Sequence, residues 1–337
     1  MDLFRCLRNH IFFHPARQES LFSMVRGLCL FQSVHLRQLA YALPGSAALG
    51  SKIRRLQRFF QHQDFDYVAM GKFVLNLFTF PDSITLTLDR TNWMFGKTPL
   101  NILVMGVLID TISVPIAFTV LPKQGNSNTL ERGALLKLLL QIIPASRLRC
   151  LLADREFIGQ EWFKLLIKKG VPFAIRIKST TKFMDPRTQH MTTVGAYYQS
   201  VSRGDYILGI TLWGQKTYLA FKKNGKALSN VVFLAVSSED IKASWLQKYR
   251  KRWSIERMFL SMKTHGFNLE QTHITSPERL RKLIAVIAIA FALCCKKGQF
   301  LNQKKSIPLK KHGRKLYSIF TYGLSWIKEN IAKMLET

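Results

Sequence analysis

Acidic residues are scarce in this 337-residue chain: 20 Asp and Glu stand against 50 Lys and Arg, which gives a formal net charge of +30. Cysteine is also scarce, and its five scattered residues form no disulfide framework. The longest apolar run, residues 283–295, falls short of the roughly 20 residues that a membrane-spanning helix needs. The N-terminal residues lack the pattern of a secretory signal. These shortages argue against a secreted or membrane protein and predict a cytoplasmic one.

The remaining composition is that of a folded protein with an anionic partner. Hydrophobic residues make up 47% of the chain and aromatic residues 12%, which is enough for a sizeable core. The length predicts roughly two domains of about 150 residues each. On a foldable chain a charge of +30 indicates the partner rather than the fold. Nucleic acid is the expected partner, ahead of an anionic membrane surface.

The order of apolar and polar residues divides the chain into three parts. Residues 1–78 have helical spacing and are basic, so we expect a domain that binds DNA ends. Residues 79–297 alternate between strand and helix patterns, which predicts an α/β core with a mixed sheet and a β-rich insertion at about 179–238. Residues 298–337 are expected to form a basic linker and a C-terminal helix.

One predicted helix of the first part carries three arginines around its apolar positions. Arg54, Arg55 and Arg58 are expected to contact DNA. The alternative is that they only form the solvated face of a surface helix.

Two aspartates end predicted strands of the core. Asp89 follows the alternating segment 84–88, and Asp154 follows the short apolar strand 148–153. Carboxylates at the carboxyl ends of neighbouring strands point into the crevice where α/β sheets bind ligands. Two facing carboxylates repel each other unless a divalent cation lies between them, and Mg²⁺ prefers carboxylates together with phosphate oxygens. The alternative is that each aspartate caps a turn. Separately, Glu156 is expected to pair with a nearby arginine.

A third carboxylate lies on a long helix predicted from residue 241 to about 264. Offsets of 0, 3, 7 and 14 residues fall on one narrow stripe at about 100° per residue, and this stripe carries Tyr249, Arg252, Glu256 and Lys263. The stripe borders the buried face, where we expect Trp253 in the core. Buried charges need partners. A metal ion could be the partner of Glu256, and DNA phosphates could be the partners of Arg252 and Lys263. The alternative is that these side chains pair with one another in an internal salt-bridge ladder.

The spacing Tyr249-x₂-Arg252-x₃-Glu256-x₆-Lys263 resembles the YREK signature of bacterial insertion-sequence transposases with a DDE active site. Asp-Arg-Thr at Asp89 and Asp-Arg-Glu-Phe at Asp154 resemble the first and second catalytic aspartates of that family. The resemblance covers about 80–295. It implies a ribonuclease-H-like core in which the two aspartates and Glu256 are the catalytic, metal-binding residues.

The resemblance also implies an activity and its partners. The activity is cut-and-paste DNA transposition, in which the enzyme cleaves transposon ends and joins the freed 3′-hydroxyl to target DNA. Two Mg²⁺ ions, which Mn²⁺ can replace, double-stranded DNA and a homodimer in the DNA complex are implied, together with a location in the cytoplasm at the nucleoid. Tyr249, Arg252 and Lys263 would contact phosphates near the cleaved end. Trp213 on the insertion is a candidate for stacking on a flipped base.

Two other functions remain open at this point. A related ribonuclease-H-like nuclease or resolvase would cut DNA and never join it. A non-catalytic DNA-binding protein, such as a degenerate transposase, would inhibit transposition. The complete set of carboxylates argues against the inhibitor, whereas strand-transfer assays are needed to separate the first two.

Overall fold

The computed structural model describes residues 13–228, 231–237, 244–311 and 313–336. Four helices come first: α1 (Pro15–Phe31), α2 (Leu36–Tyr41), α3 (Leu49–His62) and α4 (Tyr67–Asn76). Local sequence explains where two of them begin. Pro15 occupies the first turn of α1, where its missing N–H is not needed, and the Asp66 side chain caps α4 by accepting two backbone N–H groups.

A mixed sheet follows the helices. In chain order, the strands of the described residues are β1 (Ile84–Phe95), β2 (Thr98–Ile109), β3 (Ile112–Leu121), β4 (Leu148–Ala153), β5 (Phe173–Ile177), β6 (Lys182–Met184), β7 (Met191–Thr193), β8 (Gly204–Leu212), β9 (Gln215–Lys223) and β10 (Phe233–Val236). Eight of them form one sheet in the order β3-β2-β1-β4-β5-β10-β9-β8, while β6 and β7 pair as a separate hairpin.

The centre of the sheet has the ribonuclease-H-like arrangement that the sequence predicts. Strands β1, β4 and β5 are parallel neighbours, and β2 and β3 continue the sheet from β1 as antiparallel strands. Strands β4 and β5 therefore end at the same edge of the sheet, where the parallel pairing of β1 ends at Leu88 while β1 itself continues to Phe95 beside β2. This edge is where an α/β sheet presents ligand-binding side chains.

The β-rich insertion is present, and it extends this same sheet. Strand β10 pairs antiparallel with β5, and β9 and β8 follow it outward. This pairing covers the edge of β5, whose backbone groups would otherwise lack partners. The hairpin of β6 and β7 and the short helix α7 (Val194–Ser200) complete the insertion.

Helices pack on the sheet: α5 (Thr129–Ile142), α6 (Gln160–Lys168), α8 (Ser244–Tyr249), α9 (Ser254–Lys263), α10 (Pro277–Lys304) and α11 (Ile319–Glu336). Helix α10 is long and apolar enough to cross a membrane by length and composition, but 78% of its most apolar window is buried inside the protein. Helices α1 and α11 pack against it. The N-terminal helices and the sheet thus share one hydrophobic core.

The basic segment after residue 296 differs from the prediction. Helix α10 continues to Lys304, so residues 296–304 are helical rather than part of a linker. The reason is tertiary: the Lys297 ammonium lies 3.3 Å from the ring centre of Trp326 on α11. Residue 298 is glycine, and a Cβ at this position would overlap the backbone oxygen of Ile319. Helix α11 can therefore approach α10 closely, and this contact supports the additional helical turns of α10.

The helix predicted over 241–264 is also different. Residues 238–243 lie outside the described residues, and a 3₁₀ turn (Arg250–Trp253) separates α8 from α9. A 3₁₀ turn has 3.0 residues per turn instead of 3.6, so it shifts the angular positions of the side chains that follow. The prediction that Trp253 lies in the core is wrong for this reason, because its side chain is 61% exposed.

Candidate active site

The two aspartates lie side by side where the parallel pairing of β1 with β4 ends. The expectation that Asp89 ends its strand is wrong, because β1 continues to Phe95 through its pairing with β2. Leu88 of β1 is in register with Ala153 of β4, so the next residue of each chain segment is the aspartate. One Asp89 carboxylate oxygen accepts the backbone N–H of Arg90 at 2.8 Å, and Asp154 accepts that of Arg155 at 2.7 Å. The other carboxylate oxygen of Asp89 is the one that Arg252 contacts.

Arg252 joins the third carboxylate to this pair. Its guanidinium donates to Asp89 Oδ2 at 3.2 Å and to Glu256 Oε1 at 2.5 Å. The i,i+4 salt bridge expected as the alternative interpretation is therefore present, and it extends to the sheet. Burial opposes the charge of Arg252, yet the neighbouring Tyr249 and Asp89 raise its pKa, so the guanidinium stays protonated.

Tyr249 fixes the end of α8 to the end of β4. Its hydroxyl donates to the backbone oxygen of Ala153 at 3.0 Å, directly before Asp154, and burial raises its pKa. The Arg252 guanidinium lies 6.0 Å from the centre of its ring. Tyr249 thus orients the residues that carry the charges, and its hydroxyl is already used within the protein.

Lys263 lies farther along β1, at the other end of α9. Its ammonium pairs with Glu270 at 2.5 Å and lies 3.4 Å from the backbone oxygen of Asn92. It is also 5.6 Å from the ring centre of Trp93. Arg252 and Lys263 therefore contact β1 at two points, Asp89 and Asn92, whereas Tyr249 contacts the end of β4.

A second arginine links the two aspartate segments, and reasoning from the sequence missed it. Arg90 donates to both carboxylate oxygens of Glu156, at 2.7 and 3.1 Å. The prediction that Glu156 pairs with an arginine is confirmed. The sequence does contain the signal, because Arg90 directly follows Asp89 and Glu156 follows Asp154 by two residues.

The other predicted site residues lie elsewhere. Arg54 and Arg58 are exposed on α3, whereas Arg55 donates to Ser20 Oγ at 3.0 Å and to the backbone oxygen of Ala16 at 2.8 Å on α1. Trp213 forms the turn between β8 and β9, at the sheet edge opposite the aspartates. Its ring packs edge-on against Phe163 of α6, with ring centres 5.2 Å apart.

The electrostatics of the three carboxylates suit a divalent cation. The pKa of Asp89 is raised from 3.8 to about 6, chiefly because burial opposes its charge; the backbone N–H of Arg90 and the charge of Arg252 lower it, and the nearby charges of Glu256 and Asp154 raise it. Among the described residues, no three His, Cys, Asp or Glu side chains are gathered tightly enough to hold a metal ion. The oxygen donors nevertheless have the chemistry that Mg²⁺ prefers.

Asp89, Asp154 and the Arg252-linked Glu256 thus lie at one edge of a ribonuclease-H-like sheet, as the resemblance to DDE transposases implies. The family assignment agrees. Residues 88–293, well over half of the chain, match the family described as Transposase DDE domain. The chain belongs to this transposase family, and the matched region contains Asp89, Asp154 and Glu256.

More distant comparisons add little. The catalytic domain of human endonuclease V is 10% identical over 76% of this chain and 96% of that chain, with a TM-score of 0.28. Endonuclease V from Bacillus subtilis is 12% identical over 73% of this chain and 96% of that one, with a TM-score of 0.26. Scores this low bear on neither fold nor function. No curated protein matches the chain.

The raised pKa of Asp89 predicts a stability effect. A carboxyl whose folded-state pKa is raised destabilises the folded protein once it ionises, so the cost is small at pH 4 and complete above pH 6 to 7. We expect Asp89→Asn to raise the free energy of unfolding by about 1–3 kcal/mol at pH 8 in EDTA and to change it little at pH 4. Urea unfolding at both pH values measures this.

Asp110→Asn provides the matched control, because Asp110 lies in an exposed turn. This variant should unfold like the unmodified protein at both pH values. A lower stability of Asp89→Asn at pH 8 would contradict the prediction, since it would mean that the ion pair with Arg252 outweighs the burial of the charge.

Proposed function

We propose that this protein is a cut-and-paste DNA transposase of the YREK-signature group and that Asp89, Asp154 and Glu256 are its catalytic carboxylates. The observation that carries the proposal is their arrangement: Asp89 and Asp154 lie next to each other where the parallel pairing of β1 and β4 ends, and Arg252 links Glu256 to Asp89. Membership in the transposase family supports it. Cleavage at transposon ends and strand transfer to target DNA are the proposed reactions.

Two Mg²⁺ ions are the proposed cofactors, and Mn²⁺ is expected to substitute. The three carboxylates would hold them, because hard oxygen donors and phosphate oxygens together match the coordination that Mg²⁺ prefers. Bound there, the ions supply an activated water or hydroxyl and stabilise the leaving oxygen. Tyr249 positions the strand end before Asp154 by its hydrogen bond to Ala153, and the Arg90–Glu156 pair holds the two aspartate segments together.

Double-stranded DNA, at the transposon ends and at the target, is the proposed partner. The net charge of +30 supplies attraction to phosphates without sequence specificity. Arg252 and Lys263 lie along one line with Asp89 and are proposed to contact phosphates near the cleaved end, and Arg54 and Arg58 are exposed for more distant contacts. We further propose that a homodimer holds the two ends and that the protein acts in the cytoplasm at the nucleoid.

Trp253 is a better candidate than Trp213 for stacking on a flipped base. It is 61% exposed and directly follows Arg252, one turn before Glu256. An exposed tryptophan next to a phosphodiester-cleaving site offers an aromatic face to an unstacked base. Trp213, in contrast, packs on Phe163 at the opposite sheet edge.

The assignment of the carboxylates predicts a separation of cleavage from binding. Asp89→Asn, Asp154→Asn and Glu256→Gln should each lower the rate of end cleavage in Mg²⁺ by at least about a thousandfold, because a metal ligand is lost. DNA affinity should stay equal or rise, because a negative charge is removed. Cleavage and joining of a duplex that carries the terminal inverted repeat flanking the gene, together with a gel-shift assay, measure both effects.

Glu161→Gln is the control for these variants, since Glu161 is an exposed carboxylate in the first turn of α6. It should cleave normally. Cleavage retained by any of the three site variants would remove that residue from the site. If the unmodified protein cleaves ends and never joins them to target DNA, the nuclease interpretation replaces the transposase.

The two tryptophans differ in exposure, so their alanine variants should have different effects. Trp253→Ala should leave the melting temperature unchanged and weaken end processing about 5- to 100-fold, because base–aromatic stacking contributes roughly 1–3 kcal/mol. Trp213→Ala should lower the melting temperature, because it empties a packed position against Phe163. Fluorescence of 2-aminopurine placed near the DNA end reports the unstacked base; unchanged fluorescence with Trp253→Ala would contradict the stacking role.

A further inference from the structure

A basic groove lies between the N-terminal helices and the segment that leads into α10. Its volume is about 610 Å³, and it is lined on one side by His35, Arg37 and Gln38 of the α1–α2 region and on the other by His273 and Arg279. None of the described residues that line it is a carboxylate. The groove is therefore suited to an anionic ligand.

Both arginines of the groove are available to a ligand. Arg37 and Arg279 are exposed, and within the described parts of the chain neither has an ion-pair or hydrogen-bond partner. The rings of His35 and His273 contact each other edge to face across the groove, with centres 5.3 Å apart. Two unpaired guanidinium groups beside two imidazoles offer several N–H donors for phosphate oxygens.

The groove has a defined position relative to the carboxylates. The His273 ring also contacts Phe95, the last residue of β1, with ring centres 5.1 Å apart. Phe95 is six residues after Asp89 on the same strand, so the groove lies roughly 20 Å from the carboxylate at about 3.3 Å per residue. Lys263 contacts the backbone of Asn92, halfway along this path. Cations thus follow β1 from the carboxylates to the groove.

A distance of about 20 Å corresponds to about six base pairs of B-form DNA at 3.4 Å each. We infer that this groove binds the sugar–phosphate backbone of the transposon-end duplex about six base pairs from the cleaved bond. The inference rests on the proposed function, which supplies the DNA, and it adds where on that DNA the protein makes contact. The two arginines fix the register of the duplex relative to Asp89, because phosphate contacts position a protein on DNA without reading its sequence.

The test uses the full-length protein and a 40-base-pair duplex that carries the terminal inverted repeat and ends at the cleavage position. Ca²⁺ replaces Mg²⁺ so that binding is measured without cleavage. A neutral methylphosphonate replaces one phosphate at a time along the first twelve positions of each strand. Fluorescence anisotropy gives the Kd of every duplex for the unmodified protein and for Arg37→Ala/Arg279→Ala.

We expect the double variant to bind roughly tenfold more weakly or worse at moderate salt and to lower the log–log salt slope by about 1.8, which corresponds to two lost phosphate contacts. Methylphosphonates at about positions five to seven should weaken binding of the unmodified protein. They should have no further effect on the variant, because the contact is already absent. Arg37→Gln/Arg279→Gln, which retains the aliphatic stems, should show the same pattern and guards against misfolding.

Arg147→Ala/Arg149→Ala is the matched control, since it also removes two exposed positive charges, one just before β4 and one at the second residue of β4, at the opposite sheet edge. It should retain the sensitivity to positions five to seven. The inference is overturned if both double variants lose affinity equally, or if the groove variant keeps that sensitivity. These failures leave end cleavage intact, whereas an unmodified protein that never cleaves ends would overturn the proposed function itself.

Discussion

The bridge that Arg252 forms between Asp89 and Glu256 is the interaction on which the site depends. It connects the sheet to helix α9 through Asp89 and Arg252, which are 163 residues apart in the chain, and it lies largely out of solvent. A buried guanidinium needs at least one anionic partner, and Arg252 has two, so it stays paired with Glu256 when Asp89 is neutral. The bridge thereby holds helix α9 against β1 at Asp89 and keeps Glu256 close to that aspartate.

The same bridge reconciles two opposing demands on this region. Under the proposed function, three carboxylates hold metal ions for phosphodiester chemistry, yet three negative charges beside DNA repel its phosphates. Arg252 offsets part of that charge, and Lys263 and the groove arginines Arg37 and Arg279 lie farther along the same direction. Acidic residues are scarce in the chain as a whole, and the site is one of the few places where several come together.

The sequence was sufficient where local patterns determine the structure and insufficient where distant segments decide it. Alternation and apolar runs predict the strands that lead to Asp89 and Asp154, and parallel pairing then brings the aspartates together, but the continuation of β1 to Phe95 comes from its pairing with β2. The exposure of Trp253 depends on a 3₁₀ turn that no residue type announces. The helical state of residues 296–304 depends on contacts with α11, and the position of Trp213 depends on which strand the insertion pairs with. In these cases contacts between distant segments, rather than the local sequence, determine the structure.

The central claim is that the three carboxylates form one metal site, and counting bound ions tests it most directly. Electron paramagnetic resonance of free Mn²⁺ during titration gives the number and affinity of ions bound by the protein with end DNA. We predict about two Mn²⁺ per chain for the unmodified protein and at least about tenfold weaker binding for Asp154→Asn. Equal stoichiometry and affinity for the two proteins would contradict the claim, because Asp154 would then lie outside the metal site.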